Sequence, residues 1–338
     1  MRMTFLSHEP DIEFTKPMMG IVIASTMLST VPGVSAAGPS PEATTLTPNL
    51  DAELIVNGAI TSMPIIPVSP SGCATPATLT RAMMELTGVE PIIVNAGLKH
   101  TPPVPCVDVY GECGNDPRTE DAVPKAEELF KKGISIGKAW SNYSDLLVLG
   151  ESVPGGTTTA LCVLKALGYE SEVSSSFIDN PSTLKTEICT AVLERIKNDG
   201  ITAPLDIIRY AGDPMMPVVA GIVKGYKGKV VLAGGTQLLS VAALLERMGE
   251  ELPAIVTTTY VYNDNSASFI KTAEEIGITA WCVDPDFGNI GNAGLARYCE
   301  GEVKEGVGAG GALWLARVMG HSKEEISEKL LDFLKDYS

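Results

Sequence analysis

The sequence has few of the residues on which common catalytic and metal sites depend. Only three of its 338 residues are histidine, and they lie far apart at His8, His100 and His321. The seven cysteines are odd in number and include no CxxC pair. A histidine-centred triad, a multi-histidine metal site, a zinc finger and a disulfide framework are therefore not indicated, and the reducing cytoplasm is the expected compartment.

Basic charge and long apolar runs are also scarce. Twenty-five Lys and Arg against 41 Asp and Glu give a net charge of −16, which would repel a phosphate backbone and argues against a nucleic-acid partner. No run approaches the ~20 apolar residues of a membrane span. Residues 18–37 are similar to a secretory signal, but residues 1–17 before them are net acidic where a signal is basic. We expect a strand and loop there, with a signal as the alternative.

Hydrophobic residues make up 45% of the chain, enough for a folded core. Short apolar runs alternate with longer amphipathic ones, which predicts an α/β fold with a mainly parallel sheet. Residues 36–72 and 99–124 are rich in Pro, Gly, Ser and Thr and predict long loops. The predicted strands are 91–97, 145–150, 229–235 and 254–259, and the predicted helices are 77–86, 124–139, 158–167, 181–198, 216–225, 238–248, 312–319 and 323–333.

The segment Gly150–Ala160 places glycines and hydroxyls between a predicted strand and a predicted helix. Its N–H groups at Gly155, Gly156 and Thr157 can bind a phosphate at the positive end of the helix dipole, or the turn can be a helix cap and nothing more. Glu151 favours the first interpretation, because an acid beside a phosphate can hold a sugar hydroxyl. No lysine follows these glycines as in a Walker A loop, which argues against a kinase or ATPase.

Three further segments combine glycine with polar residues. Gly212 and Asp213 precede a predicted helix, which helix capping alone would explain. The run 234–236 ends a predicted strand, where ligands bind in open α/β sheets. Glu305 lies among closely spaced glycines and is either a buried general base of raised pKa or a solvated side chain. Nearby Glu302 is interpreted as a solvated charge.

Taken together and in order, Gly150–Ala160, Tyr210–Gly221, Val230–Gln237 and Val303–Gly310 resemble segments of the nicotinate-nucleotide:dimethylbenzimidazole phosphoribosyltransferase family, most closely its archaeal relatives. Weaker similarity extends to Ala74–Met83. The resemblance implies a doubly wound, Rossmann-like sheet with a small helical subdomain, and a homodimer. It assigns residues 40–311 to the nucleotide-binding catalytic domain, with 1–39 and 312–338 forming a smaller, largely helical terminal portion.

The resemblance also implies a reaction, the transfer of phosphoribosyl from nicotinate mononucleotide to a benzimidazole-type aromatic base. No metal or cofactor is implied. Glu305 would be the catalytic base that takes the proton of the attacking ring. The other expected site residues would bind the nucleotide or the aromatic base; they are Glu151, Gly155, Gly156, Thr157, Thr158, Gly212, Asp213, Gly234, Gly235, Thr236, Gly306, Gly308, Thr80 and Met83. The alternative is a non-catalytic nucleotide-binding or regulatory protein on the same scaffold.

Overall fold

The strands form one sheet in which every pair of neighbours is parallel. A computed structural model describes residues 5–69 and 71–337. In it the strands are β1 Pro17–Ala24, β2 Pro91–Gly97, β3 Val107–Asp108, β4 Leu146–Ser152, β5 Lys229–Ala233, β6 Ala254–Thr258 and β7 Ala280–Val283. Their order across the sheet is β3-β2-β1-β4-β5-β6-β7. This order confirms the predicted doubly wound α/β fold.

Helices cover both faces of the sheet. One face packs against α3 Ala126–Trp140, α4 Gly156–Ala166, α5 Ser182–Asn198, α6 Pro204–Ala211, α7 Met215–Gly225, α8 Thr236–Arg247, α9 Thr259–Tyr262 and α10 Phe269–Ile276. The other packs against α1 Thr47–Asn57, α2 Pro76–Thr87, α11 Ala293–Ala296, α12 Ala309–Val318 and α13 Lys323–Leu334. The short 3₁₀ segments are Met27–Thr30, Glu42–Leu46, Phe287–Asn289, Arg297–Glu300 and Lys335–Tyr337.

The central strands are buried on both faces, as their apolar runs predict. Side chains alternate along β4: Leu147 and Leu149 pack in one core layer, and Leu146 and Val148 pack in the other. The predicted strands 91–97, 145–150, 229–235 and 254–259 correspond to β2, β4, β5 and β6. The predicted helices likewise have counterparts in α2, α3, α4, α5, α7, α8, α12 and α13.

Two expectations about local structure are wrong. Of the portion 1–39, expected to be largely helical, the described residues 5–39 are not, because β1 lies in the middle of the sheet between β2 and β4. The expected strand within 18–37 is thereby confirmed, whereas the division into two portions at 40 and 311 stays a prediction. The loop expected over 36–72 contains the eleven-residue helix α1. Smaller strands and α-helices also missed are β3, β7, α6, α9, α10 and α11.

Candidate active site

A pocket of about 520 Å³ opens at the carboxyl ends of the strands. The pocket lies beside β4. Between β1 and β4 the strand order reverses, so the connections on the two sides run in opposite directions. Ligands of open α/β sheets usually bind in the crevice at this point. Four acidic residues are in its lining, Asp51, Glu151, Glu302 and Glu305. Within residues 5–69 and 71–337 the lining contains no Lys, Arg or His.

The carboxylate of Glu305 sits at the start of α12. Its Oε1 accepts from the N–H groups of Gly306 at 3.1 Å and Gly310 at 3.0 Å. Its Oε2 accepts from the N–H of Thr258 at 2.9 Å and the hydroxyl of Thr257 at 3.3 Å. Burial raises the pKa of Glu305, and these four donors oppose the increase without cancelling it. A fixed carboxylate of raised pKa facing a pocket is suited to general-base chemistry.

The backbone around Glu305 is strained. Val303, Lys304 and Val307 adopt left-handed conformations, with φ of +66°, +67° and +54°. Such angles are unfavourable for side chains with a Cβ, and most of all for β-branched valine. They persist here because the loop is tied down: the Val307 N–H donates to the Glu151 carbonyl at 2.9 Å, and its carbonyl accepts from the Thr80 hydroxyl at 2.8 Å. Strain of this kind is characteristic of functional loops.

Lys304 ties the Glu305 loop to the neighbouring wall of the pocket. Its buried Nζ donates to the carbonyls of Ser175 at 3.1 Å and Phe177 at 3.3 Å and pairs with Asp264 at 3.1 Å. Val303 adds a backbone bond to the Ser176 carbonyl at 3.0 Å. Because the ammonium is held by these partners, Lys304 orients the loop and is not directed into the pocket.

Glu151 is held across the pocket by Gln237 of α8. The Nε2 of Gln237 donates to Glu151 Oε2 at 2.7 Å. Burial, together with the nearby charge of Asp213, raises the pKa of Glu151 to about 8, against the opposing effect of that hydrogen bond. A Cβ on Gly156 would lie 1.9 Å from Gln237 Oε1. A side chain at 156 would therefore displace Gln237, the residue that holds Glu151.

The first turn of α4 presents free N–H groups to the pocket. Gly155 caps the helix at φ +78°, with no side-chain cap. In the described chain the N–H groups of Gly155 and Thr157 have no hydrogen-bond acceptor, but that of Gly156 donates to the Val153 carbonyl at 3.0 Å. The expected use of all three N–H groups is thus wrong for Gly156. At the start of α8, the buried hydroxyl of Thr236 also lines the pocket and has no partner among the described residues.

Asp51 is a pocket residue that the sequence analysis missed. It lies on α1, and its Oδ2 accepts from the Ser152 hydroxyl at 2.7 Å. Burial raises the pKa of Asp51 to about 7, opposed by that hydrogen bond. A pattern search could not find it, because the only signal is an acid between Leu50 and Leu54 in a segment predicted as loop.

The structure brings about half of the expected residues to the pocket. Those that line it are Glu151, Gly155, Gly156, Thr157, Gly235, Thr236, Glu305 and Gly306. Those that do not line it are Thr158, Gly212, Asp213, Gly234, Gly308, Thr80 and Met83.

The residues outside the lining pack against or support the pocket. Asp213 accepts from the Thr159 hydroxyl at 2.8 Å beneath α4, and burial raises its pKa to about 6. Gly308 lies against Gly150, where a Cβ on Gly150 would be 2.7 Å from the Gly308 Cα. Thr80 supports the Glu305 loop through Val307, as described above. The other positions are buried in helix and strand packing; they are Thr158, Gly212, Gly234 and Met83.

Glu302 is not the solvated charge that the sequence suggested. It accepts from the hydroxyls of Ser69 and Ser71 and pairs with Arg297 at 2.7 Å. Burial would raise the pKa of Glu302, but the hydrogen bonds from the two serines and Arg297 outweigh it, so the pKa is lowered. Glu302 therefore links Ser69 and Ser71 to the Glu305 loop.

The described part of the chain has neither a membrane-spanning helix nor a cluster of metal ligands. No helix in it is long and apolar enough to cross a membrane. No group of three or more His, Cys, Asp or Glu side chains in it is placed to hold a metal ion.

Solved structures with this fold include a nicotinate-nucleotide-dimethylbenzimidazole phosphoribosyltransferase from Thermus thermophilus. It aligns with a TM-score of 0.59 at 17% identity, covering 92% of this chain and 84% of that one. A structure described as CobT from the same organism aligns with a TM-score of 0.58 at 16% identity, covering 94% and 84%. At these identities the likeness shows the fold.

The relatives by sequence are much closer. No family model matches the chain. It is 47% identical over 321 residues to a UPF0284 protein of Thermococcus onnurineus, covering 93% of this chain and 96% of the relative. A UPF0284 protein of Methanosarcina mazei is 41% identical over 346 residues, covering 98% of each. Identity at this level along nearly the whole length shows that the chain belongs to the UPF0284 family of archaeal proteins.

Proposed function

We propose that the protein transfers phosphoribosyl from nicotinate mononucleotide to a benzimidazole-type base, as in the synthesis of a cobamide lower ligand. The bond between C1′ and the pyridinium nitrogen breaks, and its electron pair returns to that nitrogen, releasing nicotinate. One ring nitrogen of the base bonds to C1′ from the opposite face, giving the α-nucleotide. The proton on its other ring nitrogen passes to Glu305.

The observation that carries the proposal is the setting of Glu305. Its carboxylate lines a largely apolar pocket, is fixed by four donors, and sits on a loop with three strained residues. A pure nucleotide binder has no need of a base held in this way. Because the leaving group is already a pyridinium, one general base suffices, and the scarcity of histidine is no obstacle.

The phosphate would bind without a cationic side chain. The free N–H groups at Gly155 and Thr157 lie at the start of α4, and the Thr236 hydroxyl lies at the start of α8. Both helices point their positive ends toward the pocket, which favours a bound anion. The acidic lining suits the remainder of the nucleotide, since Glu151 can hydrogen-bond a ribose hydroxyl, and its carboxylate form, populated from about pH 8 upward, would offset positive charge that develops at C1′.

Mass spectrometry of products tests the proposal. The purified protein is incubated with nicotinate mononucleotide and a panel of benzimidazoles and purines. We expect nicotinate and the α-nucleotide of at least one base in equal amounts. Nucleotide binding without any product would favour the alternative, a non-catalytic nucleotide-binding or regulatory protein.

We also propose a cytoplasmic homodimer as the working form. The described residues include all seven cysteines as thiols with no disulfide between them, which suits a reducing compartment. Sedimentation of the full chain would test the dimer, and N-terminal sequencing of protein from its native cells would test the compartment. A mature chain that begins near Ala37 would overturn the cytoplasmic assignment.

A further inference from the structure

One wall of the pocket is mainly apolar and carries one carboxyl group. Asp51 lies on α1 with Leu50 and Leu54, which also line the pocket. The segment after α1 adds further apolar side chains to the same wall, namely Ile60, Met63, Ile65, Ile66 and Val68. A wall of this kind suits a flat aromatic ring, and a carboxyl group within it is costly unless it has a polar partner.

The hydrogen bonds of Asp51 are incomplete. Ser152 donates to Oδ2, but Oδ1 has no partner among the described residues. Glu53, two residues along the same helix, accepts four bonds: two from the backbone N–H and hydroxyl of Thr61, and two from those of Ser62, at 2.5–2.9 Å. Both carboxylate oxygens of Glu53 are thus hydrogen-bonded within the fold, whereas Oδ1 of Asp51 remains open to a donor on a ligand in the pocket.

The sheet separates Asp51 from the proposed phosphate end. Successive side chains of β4 alternate between its faces. Glu151 turns toward Gln237 on α8, beside the start of α4, whereas Ser152 turns toward Asp51 on α1. Asp51 therefore shares its face with the apolar wall and not with the groups proposed to bind phosphate.

We propose that Asp51 selects the incoming aromatic base, favouring a ring whose edge carries an N–H or O–H donor over one whose edge carries only methyl groups. This inference rests on the proposed function. A donor on the ring would complete the hydrogen bonds of Asp51, whereas a methyl group would bury its oxygen without a partner. Rejection of an analogue that lacks the required polar group is stronger than rejection by apolar fit alone.

The test compares 5-aminobenzimidazole with 5-methylbenzimidazole, two bases of nearly equal size. The ratio of kcat/KM, amino over methyl, is measured at pH 8, where Asp51 is mainly ionised. We expect a ratio of about ten or more for the wild type. Asp51→Leu should lower this ratio to one or below. Asp51→Asn keeps an acceptor oxygen, so its ratio should lie between those of the wild type and Asp51→Leu. Glu42→Leu, exposed and outside the pocket, is the control and should match the wild type.

The outcomes separate this inference from the proposed function. Product with both bases and the same ratio in Asp51→Leu overturns the inference alone. A higher KM for the nucleotide with an unchanged base ratio places Asp51 on the ribose and also overturns it. No product with any base in the wild type overturns the proposed function, and the inference with it. If Asp51→Leu does not fold, the ratio in Asp51→Asn decides. A ratio in Asp51→Asn as high as that of the wild type would contradict the assignment.

Discussion

Helices α4 and α12 begin alike, yet their first turns have different neighbours. Each is capped by a left-handed glycine, Gly155 at φ +78° and Gly308 at φ +73°, and neither has a side-chain cap. At α12 the Gly310 N–H donates to the carboxylate of Glu305. At α4 the Thr157 N–H lies at the pocket with no acceptor among the described residues. One helix start is filled by an acid of the chain itself, and the other is open to an outside anion.

The difference shows that the N-terminal turn of a helix can have two different uses. The first turn of any helix carries unpaired N–H groups and partial positive charge. At α12 these groups hold the carboxylate of Glu305, the proposed general base. At α4 they remain open, and the proposed function places the substrate's phosphate there. The start of α12 is therefore the proposed catalytic turn and the start of α4 the proposed binding turn, and variants can target each.

Glu305→Gln should have the largest effect, on the catalytic turn. Removal of a general base typically lowers turnover by ~10²–10⁴-fold. Nucleotide affinity should change little, because the proton transfer is made in the transition state. The rate of nicotinate release measures turnover, and calorimetric titration with nicotinate mononucleotide measures the affinity.

The contacts of Glu305 and Glu302 decide which controls suit this experiment. Both oxygens of Glu305 accept hydrogen bonds, so the amide nitrogen of glutamine would face N–H donors, and the thermal stability of the variant must be measured as well. Glu302 is unsuitable as a control because it fastens the loop. Glu300→Gln is better, since Glu300 is exposed and outside the lining, and it should keep near-native turnover. A matching loss in Glu300→Gln would assign the effect to the loop and not to the base.

Thr157→Asp should turn the start of α4 into a copy of the start of α12. An acid in a first helical turn stabilises the helix by about 0.3–1 kcal/mol, but here it would repel phosphate. We expect the affinity for nicotinate mononucleotide to fall about 100-fold while the free energy of unfolding rises slightly, by calorimetry and urea unfolding. Thr157→Val is the uncharged control. Unchanged affinity in Thr157→Asp would show that the phosphate does not bind at this turn.

Gly156→Asp is a less direct test of the same turn. It should also weaken nucleotide binding, but its Cβ would displace Gln237 and with it Glu151. Gly156→Ala makes the same displacement without the charge. The difference in nucleotide affinity between the two, measured by calorimetry, should therefore be the part due to repulsion of phosphate, and equal affinities would argue against an anion at this place.

Stability should decrease as pH rises from 5 to 7 in the ligand-free protein. Burial raises the pKa of Asp51 to about 7 and that of Glu151 to about 8. In this window the folded state therefore keeps protons that the unfolded chain releases, and one such proton corresponds to about 1.4 kcal/mol per pH unit. Asp51→Asn and Glu151→Gln should each flatten the dependence in urea unfolding.

Other titrating groups define the limits of that window. Asp213 and Glu305, whose pKa values burial also raises, act in the same direction. Burial and the charge of Lys304 lower the pKa of Lys185 to about 7, so Lys185 acts in the opposite direction as the pH approaches 7 and beyond. Unfolding free energy that rises steadily from pH 5 to 7 would contradict the burial of the pocket acids.

Val303→Gly tests the strain of the catalytic turn with the smallest effect. Glycine has no steric penalty at φ +66°, so relief of about 1 kcal/mol should offset the loss of the partly buried side chain. The same change at Val318, a helical position, should cost about 1–2 kcal/mol with no such relief. Urea unfolding of both variants makes the comparison. An equal loss at the two positions would mean that the loop around Glu305 is not strained.

The sequence predicted the sheet well because buried parallel strands are simple apolar runs. It failed at α1, whose buried positions include Asn49, Asp51 and Glu53 as well as aliphatic residues. These polar residues interrupt the apolar spacing by which helices are recognised. Glu53 binds Thr61 and Ser62, and Asp51 lines the pocket. The same polar residues therefore explain both why the helix was missed and why the site residue was missed.

The glycine-rich segments show a second limit of sequence reasoning. A glycine that lets a ligand approach and a glycine that lets two backbones pack look the same in sequence. Gly155 belongs to the first kind by its place in the pocket, whereas Gly308 belongs to the second because it lies against Gly150. Glu305 could be singled out because an acid among glycines is unusual, but its partners Thr257 and Thr258 come from a distant strand.

The pH dependence of turnover tests the catalytic role of Glu305 most directly. If its carboxylate accepts the proton of the base, kcat should rise about tenfold per pH unit below its raised pKa and then level off. The residual kcat of Glu305→Gln should be flat over the same range, while Asp51→Asn and Glu151→Gln, which alter the other titrating acids of the pocket, should keep the rise. The same rise persisting in Glu305→Gln would show that another group takes the proton.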